Sequence, residues 1–156
     1  MSSKVNIEFT VNGVVKQLAV SANASALDML REELDLKGAK EACGEGECGA
    51  CTILVDDTSV CSCLMFAVDC HGRTIETVEG LQTDENLHPI QAAYVEHGAI
   101  QCGYCTPGMV MQTKHLLDKN PNPTEGEIRR GLEGNVCRCT GYLKIFDAVA
   151  DAAQRS

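Results

Sequence analysis

Cysteine is the residue type in this sequence whose chemistry and spacing stand out, with ten among 156 residues. Three of the cysteines form the run Cys43-x4-Cys48-x2-Cys51, and a fourth candidate, Cys61 or Cys63, follows at a distance. This C-x4-C-x2-C…C spacing is typical of plant-type 2Fe-2S sites, in which four thiolates bind two irons. The spacing alone leaves Cys61 and Cys63 both open as the fourth ligand.

The segment between these cysteines is rich in glycine, from Gly38 to Gly49. Glycine lets the backbone turn tightly and direct its N–H groups at the sulfur atoms. Such hydrogen bonds raise the reduction potential of a cluster because they offset added negative charge. Glu45 and Glu47 are expected to be ordinary solvated loop residues.

A second cysteine group consists of Cys102-x2-Cys105 and Cys137-x-Cys139, with 31 residues between the two pairs. Both pairs stand just before a predicted helix start. Helix N-termini present free N–H groups and the positive end of the helix dipole, which favour an anionic tetrathiolate cluster. The second group is therefore also a candidate iron–sulfur site.

Zinc and disulfides are the alternatives for these cysteines. Structural zinc usually takes two short hooks of two cysteines each, which differs from the first run, and a C-x-C pair is more extended than a zinc knuckle. The start of the sequence lacks the apolar core of a secretory signal, so we expect a cytoplasmic, reducing location in which disulfides are rare. Two different four-cysteine groups favour iron–sulfur, and Cys70 is expected to be a free thiol.

The remaining composition excludes several function classes. A formal charge of −9 argues against a nucleic-acid binder. No stretch reaches the roughly 18 apolar residues of a membrane span. Nothing resembles a catalytic base or nucleophile. The histidines are scattered singly and are expected to be structural or surface residues: His71, His88, His97 and His115.

The elements that must position the cysteines change in type along the chain. The first part alternates as strands, with Asn12-Gly13 as a hairpin turn and Ser25 with Asp28 as a capping box for one helix. The predicted strands are 5–11, 14–20, 52–55 and 73–78. This pattern predicts an α+β domain over residues 1–81.

The second part reads as helices. Pro89, the Asn120-Pro121-Asn122-Pro123 run and the capping box of Thr124 with Glu127 delimit them. The predicted helices are 90–97, 106–118, 124–134 and 142–153. Four short amphipathic helices predict a small antiparallel bundle over residues 82–156.

Five motifs, in this order, resemble the small iron–sulfur subunit of the xanthine oxidase family of molybdenum hydroxylases, and the likeness extends from about Ile7 to Ala153. They are Cys43-x4-Cys48-Gly49-x-Cys51-Thr52, Ser62-Cys63-Leu64, Thr77-Val78-Glu79-Gly80-Leu81, Gln101-Cys102-Gly103-Tyr104-Cys105-Thr106-Pro107-Gly108-Met109 and Asn135-x-Cys137-Arg138-Cys139-Thr140-Gly141-Tyr142.

The resemblance implies a plant-type ferredoxin-like β-grasp domain followed by a four-helix bundle domain, each with one 2Fe-2S cluster. It favours Cys63 over Cys61, because the family's ligand stands in the Ser-Cys-Leu position. It also implies that Gln101 and Cys139 contact a pterin. The implied iron ligands are Cys43, Cys48, Cys51 and Cys63 for the first cluster, and Cys102, Cys105, Cys137 and Cys139 for the second.

The resemblance further implies partners and a function. A large subunit would carry molybdopterin and a medium subunit FAD, in a dimer of heterotrimers without direct membrane insertion. The chain would pass single electrons between the molybdopterin centre and FAD or another acceptor, as part of an oxidoreductase whose substrate is transformed on another subunit. Two alternatives are a freestanding ferredoxin-type carrier and a zinc-based interaction module.

Overall fold

The N-terminal half of the chain forms a mixed five-stranded sheet, as seen in a computed structural model that describes residues 4–82 and 86–155. The outer limits of the two predicted domains, residues 1 and 156, lie outside the described residues. The strand order is β2-β1-β5-β3-β4, with β1 and β5 parallel and the other neighbours antiparallel. The strands are β1 (Lys4–Val11), β2 (Val14–Ser21), β3 (Thr52–Val55), β4 (Thr58–Cys61) and β5 (Thr74–Glu76).

The predicted hairpin and capping box are both confirmed. Asn12 and Gly13 have φ values of 49° and 78°, the left-handed conformation that a two-residue hairpin loop requires. Ser25 Oγ accepts from Asp28 N at 3.0 Å and begins helix α1 (Ala26–Asp28), which continues as a π-helical turn over Met29–Glu33. The buried side chains of α1 pack on the sheet core.

Strand β3 is buried on both of its faces, which explains its continuous apolar sequence. Ile53 and Val55 belong to the core beneath α1, whereas Leu54 belongs to the core of the helical half. Helix α3 packs across β3 on that second face. The two halves of the chain therefore share a contact surface at this strand.

In the part of the second half that the structure describes, the α-helices are α2 (Pro89–Glu96), α3 (Thr106–Lys119), α4 (Glu125–Gly131) and α5 (Leu143–Gln154). Helices α2 and α4 each pack against both α3 and α5. The buried Tyr94 hydroxyl lies 2.8 Å from Thr113 Oγ1 inside this core. Among the helices of the described ranges, none has the length and hydrophobicity to cross a bilayer.

The structure corrects some predicted boundaries. Strand β5 ends at Glu76 instead of residue 78, because Asn12 and Thr77 exchange two hydrogen bonds of 2.9 Å that turn the chain away from the sheet. Helix α4 ends at Gly131 instead of residue 134. Strand β4, whose Thr-Ser-Val-Cys sequence is short and partly polar, was not predicted.

Candidate metal centres

The β3–β4 hairpin positions the later part of the first cysteine group. Its register places Thr52 opposite Cys61, so the residues after β4 return alongside those before β3. Ser62 Oγ donates to the backbone oxygen of Cys51 at 2.7 Å, which fixes this return. As a result, the side chains of Cys51 and Cys63 lie close enough for each to shift the pKa of the other.

The earlier part of the first group is held by its own loop. The backbone N–H of Glu45 donates to Cys43 Sγ at 3.4 Å, and the side chain of Cys48 lies close enough to Cys43 to lower its pKa. The N–H groups of Glu45, Cys48 and Glu47 lower the pKa of Cys43 to about 7. The loop thus stabilises negative charge on this sulfur, as the glycine-rich sequence predicted.

Burial has the opposite effect on the other sulfur pair of this group. It raises the pKa of Cys51, and it raises the pKa of Cys63 to about 11 with a further contribution from the nearby sulfur of Cys51. Two adjacent sulfur atoms can both be thiolates only if a cation offsets their charge. Burial therefore disfavours thiolates at Cys51 and Cys63 unless a bound cation offsets their charge.

The second group is divided into a buried and an exposed pair. The side chains of Cys105 and Cys137 are in contact on the inner side, and those of Cys102 and Cys139 are in contact on the solvent side. Burial and the sulfur of Cys137 raise the pKa of Cys105 to about 12. Gln101 is exposed next to this outer pair.

Two different local structures position these sulfurs. Cys105 lies directly before helix α3, as predicted, and its side chain makes no capping hydrogen bond. Cys137 lies in a turn before α5: its N–H donates to the Tyr142 hydroxyl at 2.8 Å, and Thr140 Oγ1 donates to its sulfur at 3.1 Å. Burial acts to raise the pKa of Cys137, but the Thr140 hydroxyl and nearby backbone N–H groups lower it overall. The predicted fourth helix begins at Tyr142, but in the structure this residue has a φ of 70° and lies just before α5, which begins at Leu143.

The two groups meet at the contact between the halves of the chain. Asn135 Nδ2 donates to Gly49 O at 2.9 Å, and Val136 N donates to Cys48 O at 2.9 Å. A Cβ added to Gly108 would lie only 2.1 Å from Gly49 O. The sequence motifs contained Asn135 and Gly108, but only the fold shows that both touch the loop of the first group.

The two extra cysteines have different surroundings. Cys61 lies among the sulfurs of the first group, and its Sγ donates to Gly46 O at 3.4 Å. Cys70 is buried in the sheet core, 4.0 Å from Phe66 O. None of the ten cysteines, all of which lie in the described ranges, forms a disulfide bond. Each histidine makes a structural hydrogen bond, as predicted: His71 with Glu8 N, His88 with Ile90 N, His97 with Asp151 and His115 with Asp57 O.

The donor set fits a binuclear cluster. In each group the sulfurs of four cysteines lie close together, with Cys61 as a fifth neighbouring sulfur in the first group, and a 2Fe-2S cluster needs two thiolates on each of two irons. Within residues 4–82 and 86–155, no group of three or more His, Cys, Asp or Glu is arranged to hold a single metal ion. A 2Fe-2S cluster does not require three protein ligands on one metal ion, because each of its two irons is bound by only two cysteine thiolates.

Comparison with known proteins identifies the family. Residues 9–69 match the 2Fe-2S iron-sulfur cluster binding domain, and residues 77–150 match a second 2Fe-2S binding domain. The chain is 46% identical over 153 residues to the nicotinate dehydrogenase small FeS subunit of Eubacterium barkeri, covering 98% of each. The chain belongs to the xanthine oxidase family of molybdenum hydroxylases, as a small iron–sulfur subunit.

Solved structures agree with this assignment. Quinoline 2-oxidoreductase from Pseudomonas putida 86 contains a chain that superposes with a TM-score of 0.94 at 43% identity, with 99% of both chains covered. The aldehyde oxidoreductase from Desulfovibrio desulfuricans superposes with a TM-score of 0.93 at 40% identity. There the match covers 96% of the small subunit but only 17% of the longer chain.

Proposed function

We propose that this small subunit passes single electrons between a molybdopterin centre on a large partner subunit and either FAD on a medium subunit or another acceptor. The observation that supports this proposal most directly is that the fold brings the sulfurs of each cysteine group close together and places the two groups at one contact surface, where Asn135 donates to Gly49 O. A 2Fe-2S cluster takes up and releases one electron at a time, so two in sequence would form a path for single electrons.

The proposed ligands of the first cluster are Cys43, Cys48, Cys51 and Cys63. The contact of Cys61 with Gly46 O favours Cys63 over Cys61 as the fourth ligand, because a carbonyl oxygen only accepts hydrogen bonds. The sulfur of Cys61 must keep its proton to make that contact, whereas an iron ligand is a thiolate.

The proposed ligands of the second cluster are Cys102, Cys105, Cys137 and Cys139. Cys102, Cys139 and Gln101 are exposed on one side of this group, whereas Cys137 is buried. The exposure supports the proposal that Gln101 and Cys139 contact the pterin of the large subunit. The chain's own contribution there is to orient the buried sulfur, through the hydroxyl groups of Thr140 and Tyr142.

The wider organisation is part of the same proposal. We divide the chain into a ferredoxin-like β-grasp domain (1–81) and a four-helix bundle domain (82–156), within a cytoplasmic dimer of heterotrimers. The matches to longer aldehyde oxidoreductase chains support a larger partner, because the corresponding segment is a small part of those chains. The substrate is transformed on the partner, and we assign no catalytic residue to this chain.

The test is to purify the native protein from its host, identify what co-purifies, and reduce it for electron paramagnetic resonance. We expect a molybdenum subunit and two distinct 2Fe-2S signals. A lone monomer with two signals would favour the freestanding carrier, and a colourless zinc protein would refute the iron–sulfur assignment. Cys63→Ser should lose the first signal, and Cys61→Ser should keep it. The reverse result would show that Cys61 is the ligand.

A further inference from the structure

Cys61, which the proposed function leaves without a role, contacts the backbone of the first cluster loop. It is the last residue of β4 and is partly buried. Its Sγ lies 3.4 Å from Gly46 O, in the middle of the loop between Cys43 and Cys48. Because a carbonyl oxygen can only accept, the Cys61 thiol is the donor of this hydrogen bond.

The other side of the same peptide unit faces a sulfur of the first group. The peptide that carries Gly46 O also carries the N–H of Glu47, which lies close enough to Cys43 Sγ to stabilise negative charge on it. A trans peptide is planar, with its C=O and N–H pointing in opposite directions. Fixing the carbonyl towards Cys61 therefore fixes the N–H towards Cys43.

The orientation of the Gly46–Glu47 peptide must be restrained by another residue, because Gly46 is a glycine. Gly46 has a φ of +76°, and glycine has little intrinsic preference for one orientation of the following peptide. A Cβ at Gly46 would also collide with Leu64 Cδ1 at 2.4 Å, so the position has no room for a stiffer residue unless that leucine moves. The side-chain hydrogen bond from Cys61 supplies the restraint that the glycine lacks.

We propose that Cys61 is a positioning residue that holds the Gly46–Glu47 peptide with its N–H on Cys43 Sγ and thereby raises the reduction potential of the first cluster. The inference rests on the proposed function, since it needs a cluster bound by Cys43. A backbone N–H on a ligand sulfur stabilises the reduced cluster, which carries one more negative charge. Loss of the Cys61 donor frees the peptide to rotate and weakens that hydrogen bond.

The experiment is a redox titration of the full chain with its clusters loaded, followed by electron paramagnetic resonance. The variants are Cys61→Ala, which removes the donor, and Cys61→Ser, which keeps one. Cys61→Val, which fills the volume of the thiol, is the second donor-free variant should the alanine variant fold poorly. Cys70→Ala is the matched control, because it removes a buried thiol of the same half whose carbonyl contact lies outside the cluster loop.

We expect Cys61→Ala and Cys61→Val to lower the equilibrium constant for one-electron reduction of the first cluster about tenfold, a negative shift of about 59 mV. Cys61→Ser and Cys70→Ala should leave this potential unchanged, and the second cluster should keep its potential in every variant. Equal potentials in the donor-free variants and the unmodified chain would overturn the proposal. So would loss of the first signal in Cys61→Ser. Failure of the proposed function would give a different result from failure of this inference, because the unmodified chain would then show no 2Fe-2S signals in electron paramagnetic resonance.

Discussion

The close approach of α3 to the first cluster loop is the feature of this fold most sensitive to a single added methyl group. Gly108 is the third residue of α3, and a Cβ there would lie 2.1 Å from Gly49 O and 3.2 Å from Gly49 C. Real Cβ atoms essentially never approach closer than 3.0 Å. The substitution Gly108→Ala therefore requires the helix and the loop to separate by 0.9 Å, the difference between these two distances.

The expected magnitude is the balance of two effects. Alanine favours a helix over glycine by up to about 1 kcal/mol. Overpacking typically costs about 1–3 kcal/mol, and the upper part of this range applies because the clash is with backbone rather than with a side chain that could rotate. We expect Gly108→Ala to lower the free energy of unfolding by about 1–2 kcal/mol.

Gly126 offers a matched control in the first turn of α4, where an added Cβ meets nothing within 4 Å. Gly126→Ala should raise the free energy of unfolding by up to about 1 kcal/mol through helix propensity alone. Because both variants make the same chemical change in a first helical turn, propensity cancels in their comparison. The difference between them, about 2–3 kcal/mol, reports the overpacking.

The assay is urea denaturation of the cluster-loaded full chain, followed by circular dichroism. Electron paramagnetic resonance of the same samples should show both signals altered in Gly108→Ala, because Gly49 lies between Cys48 and Cys51, and Gly108 follows Cys105 by three residues. If Gly108→Ala were as stabilising as Gly126→Ala, the close packing of α3 on the loop would be refuted.

Two further predictions concern polar contacts. Asn135→Ala removes donors to Gly49 O (2.9 Å) and Thr52 Oγ1 (3.2 Å), so urea denaturation should show a loss of about 1–3 kcal/mol; unchanged stability would contradict a role for this bridge. Burial and the charge of Lys114 lower the pKa of His88, whose neutral Nδ1 accepts from Ile90 N and caps α2. Its contribution to stability is therefore present above the ordinary pKa of about 6.5 and is lost as the pH falls through the lower folded-state value. Thermal unfolding against pH should show this loss, and His88→Asn, which keeps a capping acceptor, should reduce it.

Local sequence signals determined much of the fold. Asn12-Gly13 specified a tight hairpin, and Ser25 and Thr124 began helices through capping boxes, because each of these structures depends on residues at most a few positions apart. One incorrect boundary, the end of β5, occurred where a contact between distant residues decided the outcome. Strand β5 ends early because Asn12 bonds Thr77, 65 residues away, and no local pattern contains that information.

The cysteines also show this difference between what local sequence determines and what contacts between distant residues determine. Their number and spacing already indicated two iron–sulfur groups, and the resemblance of five longer motifs indicated the family to which the subunit belongs. Only the tertiary structure paired Cys102 with Cys139 and turned Cys61 towards Gly46. It also brought Asn135 against Gly49, 86 residues away. Spacing limits which sulfurs can share a cluster, but the direction of a side chain depends on strand register and helix packing. Those are properties of contacts between segments far apart in sequence.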